Sequence, residues 1–244
     1  MADLAEVYAA TRRDLAAFVS SLADDELERP VPATPEWSIR DVVAHLAGVA
    51  QCVAAGDFPR EFFVAIGSEA GVRAINEWTG RQVETRRGPR LQDLLDEWEG
   101  ATAAIAPMMR GDVPWPEGVI PVAAHVLTTD LAVHQQDVYG AVGLVKDRDA
   151  APIRIGFATY AAGADLRLKA SGGPALRFVT ERKEVVAGDG DPVATVRGTH
   201  YELFRALSGR RSPDQLRAYE WEGDPEPFLE LFYPYGVREQ ALVE

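Results

Sequence analysis

Leu4, Val7, Tyr8, Thr11, Leu15, Phe18, Val19 and Leu22 recur at intervals of three or four residues. At 3.6 residues per turn this spacing predicts a long amphipathic helix with one buried stripe. Pro30, Pro32 and Pro35 end it and predict an extended loop. Ser38 then starts a second helix, with Asp41 three residues on as in a capping box. Val42, His45, Leu46, Val49 and Val53 share its inner face. Residues 56–70 read as irregular and 71–87 as a third helix. Beyond Pro89 a clearer helix is carried by Leu91, Leu94, Leu95, Trp98, Ile105 and Met109. After the turn-rich GDVPWPEG, a helix over about 121–140 turns Val126, Leu127, Asp130, Leu131, His134 and Val138 inward. Another is expected over 150–168, through Ile153, Phe157 and Tyr160.

The period changes after SGGP at 171–174. ALRFVTE and VATVRG read as strands joined through the DGDP turn, and LRAYEWEGD as a further strand. THYELFRALSGR reads as a helix stopped near Gly209, and DPEPFLELF as a short final helix. The expected fold class is α+β, with an up-down helical bundle over 1–170 and a small α+β unit over 171–244.

Two ionisable residues break the apolar stripe of the 121–140 helix. Asp130 and His134 are four apart, so their side chains lie one above the other. An unpaired carboxylate on an apolar face is expensive, and a shared cation offsets that cost. His45, on the inner face of another helix, is the candidate third ligand, and bundle cores commonly house such sites. Against this, a single inward histidine is more often a hydrogen-bonded core residue, and an Asp–His pair at this spacing often makes only a local ion pair.

The other polar candidates read less sharply. His125 is about 140° round the helix from Asp130 and reads as a packing or loop-proximal histidine. His200 reads as a capping or surface residue. Cys52 lies about 10 Å further along its helix than His45, too far to share a metal with it, and reads as a small core residue. Asp137 is a candidate partner for a metal ligand, although its position suits a solvated surface aspartate better. Trp37 and Trp115 flank the candidate metal-bearing helices and are read as pocket lining or as packing.

Length and charge narrow the choices. A chain of 244 residues that is 47% hydrophobic can bury a core without structural metals, so a metal here would serve chemistry. The net charge of −13 argues against nucleic acid and against anionic membrane surfaces as partners. One cysteine permits no internal disulfide, and the first fifteen residues lack the apolar core of a signal peptide. No apolar run reaches the roughly 18 residues of a membrane span. A cytoplasmic protein, monomeric or weakly dimeric, is expected.

WSIRDVVAHLAG together with DLAVHQQDVYGA resembles the mycothiol-dependent maleylpyruvate isomerase family, within the wider DinB/YfiT-like metal-binding bundles. VRGTHYELFRALSGRR followed by YEWEGD resembles that family's small sterol-carrier-like domain. The resemblance implies a zinc site made by His45, Asp130 and His134, with Asp130 standing where the family commonly has Glu. Another divalent metal remains open. Three protein ligands leave a position free, as catalytic zinc sites do. A two-His-one-carboxylate set also serves non-haem iron oxygenases.

In LSGRR, Arg210 matches a family arginine linked to activity and is the candidate catalytic residue. The alternative is a surface arginine placed at a helix C-terminus by the macrodipole. The implied function is that of a zinc enzyme that uses mycothiol as thiol cosubstrate to isomerise or thiolate a small electrophile. The rival readings are a metal-dependent hydrolase of a small molecule and a non-catalytic binding protein with a vestigial metal site.

Overall fold

The structure is a computed structural model and describes residues 3–244. Helix α1 (Leu4–Ser20) is capped by the Asp3 side chain, which accepts from the N–H groups of Ala5 and Glu6. A short α2 (Asp24–Leu27) leads to β1 (Pro30–Val31) and β2 (Thr34–Ser38). These pair antiparallel, so the segment expected to be a loop is a small hairpin. Its prolines are compatible with pairing because a two-stranded ribbon has only edge strands.

Ser38 and Asp41 make the expected reciprocal capping box of α3 (Ile39–Ala54). One turn of helix, α4 (Arg60–Val64), forms inside the stretch expected to be irregular, followed by α5 (Glu69–Glu84). Three long helices complete the helical part: α6 (Leu91–Arg110), α7 (Ala123–Ala141) and α8 (Ala151–Ser171).

Helices α1, α3, α6 and α7 enclose one core, with α3 and α1 each lying against both α6 and α7. Trp98 is fully buried there and donates its indole N–H to the Tyr8 hydroxyl at 3.0 Å. Helix α8 covers the other side of α7, so α7 is buried round its whole circumference from Leu131 to Tyr139. That is why polar residues such as Gln135, Gln136 and Asp137 are out of solvent on it.

A second core lies between α8 and a four-stranded sheet of β3 (Leu176–Val179), β4 (Glu184–Ala187), β5 (Ala194–Arg197) and β6 (Glu220–Glu222). The strand order is β4-β3-β5-β6, with β3 and β5 parallel and both outer pairings antiparallel. The direct β3-to-β5 connection expected through DGDP is therefore corrected, since a tight turn cannot join parallel strands. The missed strand β4 is four residues long, and its sequence EVVA shows no alternation of apolar and polar residues although its burial alternates.

Helix α9 (His200–Leu207) ends before Gly209, at φ +77°, and α10 (Pro213–Arg217) takes the first part of the third expected strand. A 3₁₀ turn at 226–232 closes the second core. Helices α8 and α9 meet at Gly156, where a Cβ would stand 2.3 Å from the Phe204 ring. This contact brings α9, and the arginines that follow it, against the helical part. Among the described residues no helix is long and apolar enough to cross a membrane.

Candidate metal centre and its cleft

His45 is buried in the middle of α3. One turn later, Gly48 lets α5 approach so closely that a Cβ there would lie 2.7 Å from Gln82 Cβ. Gln82 is thereby brought to His45, and its Oε1 lies 3.1 Å from Nδ1. With the proton on Nδ1 donated to that oxygen, Nε2 keeps its lone pair. It is buried, has no hydrogen-bond partner, and lies 3.5 Å from Asp130 Oδ2.

His134 repeats the arrangement from α7. Its Nε2 is 3.7 Å from Asp130 Oδ1, while Nδ1 stands 3.0 Å from Asp137 Oδ2. One ligand atom from each of His45, Asp130 and His134 falls within 4.8 Å of the others. Each ring therefore turns Nε2 to a common point and Nδ1 towards an oxygen acceptor, the orientation that outer-sphere partners impose on metal-binding histidines. The Trp37 ring, 4.9 Å from that of His45 and 6.0 Å from that of His134, closes one side.

The charges around the group suit a cation. Burial lowers the pKa of the His134 ring below its ordinary value, against the pull of Asp137 and Asp130. A neutral ring is the form that binds metal. Burial opposes ionisation of Asp130, but His45 and His134 when protonated hold its carboxyl below the usual carboxylate value, a part that a bound cation would take with both rings neutral.

Asp137 is not a solvated surface residue. Its carboxylate is wholly buried and receives Arg205 Nη2 at 2.6 Å and Arg210 Nη2 at 2.8 Å. Burial works against its charge, yet Arg210 and Arg205 hold it well below the ordinary range. Arg205, completely buried on α9, also reaches Glu244 at 2.9 Å. Glu244 in turn receives Arg211 Nη1 at 2.8 Å. Thus the sequence from Asp137 to Arg205 and Arg210 ties α7 to the end of α9.

Arg210 lines the same cleft as His45, Asp130 and His134, and is therefore not a free surface arginine. His125 lines the cleft from the first turn of α7 but stands apart from the three candidate ligands. The surface reading of His200 is corrected: it is buried, with Nδ1 2.9 Å from Glu181 Oε1 and its backbone N–H on Oε2 of the same residue. Cys52 is half-buried, and Trp115 packs against the bundle core.

Sequence reasoning missed Gln82 and Arg205. A polar side chain among Ile75, Trp78 and Val83 was the signal for the first. An arginine inside the LFRAL stripe was the signal for the second. The cleft has a volume of 1160 Å³ and runs between the bundle, α8 and the segment 231–240. This exceeds the ~300–1,000 Å³ of typical small-ligand pockets and leaves room for two molecules side by side.

The family model described as the mycothiol maleylpyruvate isomerase N-terminal domain matches residues 8–139, more than half of the chain. The chain belongs to this family. No match is found among curated proteins. Two crystal structures are similar to it over nearly their whole length. One is a histidine-to-alanine mutant of the mycothiol-dependent maleylpyruvate isomerase, at 15% identity and TM-score 0.58, covering 90% of this chain and 91% of that one. The other is the mycothiol-dependent maleylpyruvate isomerase itself, at 16% identity and TM-score 0.52, covering 85% and 88%. At these identities the likeness establishes a shared α+β fold. The family match takes in α3 and α7, which carry His45, Asp130 and His134.

Proposed function

We propose that this chain is a metal-dependent enzyme that uses mycothiol to attack a small electrophile, with a divalent ion, zinc by preference, held by His45, Asp130 and His134. The observation that carries this reading is the pair of histidines whose Nε2 atoms converge beside Asp130 while Gln82 and Asp137 face their Nδ1 atoms. The buried, unpartnered Nε2 of His45 fits a metal-ligand atom better than a satisfied core histidine. Two imidazoles and one carboxylate are an ordinary zinc donor set, and three protein ligands leave a position for another molecule.

Zinc in this site would favour the thiolate form of a bound thiol near neutral pH. The protein's own groups would do the rest. Gln82 holds the His45 ring, and the Asp137 carboxylate 3.0 Å from His134 Nδ1 favours a proton on that atom, so that both Nε2 atoms stay unprotonated. Trp37 limits access of water from one side. Arg210, held by Asp137 and by the Ser208 carbonyl, presents its remaining N–H edge to an oxygen of thiol or substrate. A thiolate that adds to an activated cis alkene, allows rotation about the resulting single bond and then leaves gives isomerisation. Addition or displacement without departure of the sulfur gives thiol transfer.

The division into a metal-binding unit (1–170) and a small α+β unit (171–244) is part of the same proposal. The first supplies the candidate ligands, and the second supplies Arg205 and Arg210.

Calorimetry of mycothiol binding in two buffers of different ionisation enthalpy tests the thiol role. The wild type should release a proton, giving buffer-dependent heats, and His134→Ala should not. Equal affinity in both proteins with no proton release would remove mycothiol from the account.

A further inference from the structure

The cleft carries more aromatic surface than a thiol site alone explains. Phe58 and Phe63 stack at 5.0 Å and 20°, Phe63 meets Phe62 edge-on at 5.1 Å, and Phe62 stacks on Tyr235 at 5.3 Å and 10°. The Tyr235 hydroxyl lies 3.2 Å from that of Tyr160. All five rings line the cleft, forming one continuous wall from α4 to α8. At its edge Val122, Leu166 and Val237 also line the cleft and are 53%, 69% and 55% exposed. Exposed apolar side chains grouped round a concave site mark a surface that a ligand covers.

The charged groups of the cleft point the same way. Besides the two candidate metal-binding histidines, the basic residues lining it among the described residues are His125, Arg167, Arg210 and Arg238. Arg167 is bonded to the carbonyls of Leu231 and Glu230 at 2.9 and 3.0 Å. Arg238 is bonded to the carbonyls of Pro32 and Ala33. Arg210 is bonded to Asp137 and to the Ser208 carbonyl. These guanidinium groups clamp the backbone or neutralise Asp137. Asp130 and Glu239 add negative charge to the wall, on a chain whose net charge is −13. Apart from the proposed metal and the remaining Arg210 edge, His125 is the basic side chain of the cleft not held in this way among the described residues, so a small dicarboxylate finds few partners to replace its hydration. A flat uncharged molecule needs only the aromatic wall.

We propose that the electrophile taken by this cleft is uncharged and carries an aromatic or similarly flat apolar group, held on the Phe58–Phe63–Phe62–Tyr235 wall. This rests on the metal–thiol reading for the reaction but not for the binding, so the two are tested separately. In the binding arm, equilibrium dialysis measures unreactive 2,4-dinitrotoluene and maleate on the wild-type protein, without thiol. Dinitrotoluene should bind at least tenfold more tightly than maleate. Phe63→Ala, at a half-buried position, should weaken dinitrotoluene at least fivefold while the protein stays folded at the assay temperature, as read by circular dichroism. Phe63→Leu should weaken it less. Preference for maleate, or equal dinitrotoluene binding in wild type and Phe63→Ala, would overturn the proposal.

In the activity arm the metal-loaded enzyme with mycothiol is given 1-chloro-2,4-dinitrobenzene or maleylpyruvate. With the first, sulfur bonds to the ring carbon, chloride leaves with the C–Cl electron pair, and the thiol proton passes to water. The chlorodinitrobenzene should show at least tenfold higher kcat/KM, and Phe63→Ala should raise its KM. A higher kcat/KM for maleylpyruvate would overturn the assignment of substrate class. Tight dinitrotoluene binding without any thiol-dependent turnover would leave the apolar binding wall standing and count against the metal–thiol reading alone.

Discussion

Purified without chelator, the wild type should carry about one divalent metal per chain, and His45→Ala and His134→Ala should each lose nearly all of it, as read by elemental analysis. Each substitution removes one of only three protein donors. The loss in affinity should therefore exceed the ~10–100-fold that follows from changing outer-sphere partners. Neither change should unfold the protein. The helices that carry the two residues are held by apolar contacts to α1, α6 and α8. Gln82→Leu should fall between these variants and the wild type, because His45 would keep its ligand nitrogen but lose the acceptor that fixes its tautomer. Full metal content in both alanine variants would mean that the ion, if one is bound, sits elsewhere.

Asp137→Asn should have the largest effect on stability and should weaken metal binding as well. The carboxylate is wholly buried between Arg205 and Arg210. A neutral amide there leaves two buried guanidinium groups under-compensated, which typically costs about 3–5 kcal/mol. For a chain of this length that corresponds to a fall of roughly 10 °C in melting temperature. The same change removes the anion beside His134 Nδ1, so metal affinity should fall by about 10–100-fold.

The pH dependence has a definite sign. The folded-state pKa of Asp137 is depressed, so its contribution is complete above the ordinary carboxylate range and is lost as pH falls towards the folded value. Chemical denaturation at neutral and at acid pH should show a wide gap between wild type and Asp137→Asn that narrows in acid. A gap that widens as pH falls would contradict the assignment.

Helices α1 and α6 were legible because one face of each meets solvent and leaves a clean apolar stripe. Helix α3, buried on every side from Val42 to Ala50, was legible through its cap, where Ser38 with Asp41 marks its start. His45, Asp130 and His134 stood out because ionisable groups interrupted such stripes. Helix α7 defeats the same argument along its C-terminal half, where it is covered on every side. Asp137 therefore looked like a solvent-facing residue one turn beyond His134. What buries it is α9, whose Arg205 is 68 positions away in sequence. Spacing within one helix says nothing about a partner arriving from a distant part of the chain. The strand β4 was missed for a local reason: in EVVA three apolar residues run together, so the alternating burial of the four positions has no counterpart in the sequence.

Cobalt(II) substitution followed by mycothiol addition tests the account most directly, because the absorption spectrum reports which atoms surround the ion. If His45, Asp130 and His134 hold the metal with a position open to the thiol, mycothiol should produce an intense sulfur-to-cobalt charge-transfer band in the wild type. The band should be absent from His134→Ala under the same conditions. A wild-type cobalt spectrum that does not change on saturation with mycothiol would contradict the claim that this site exists to bind a thiol.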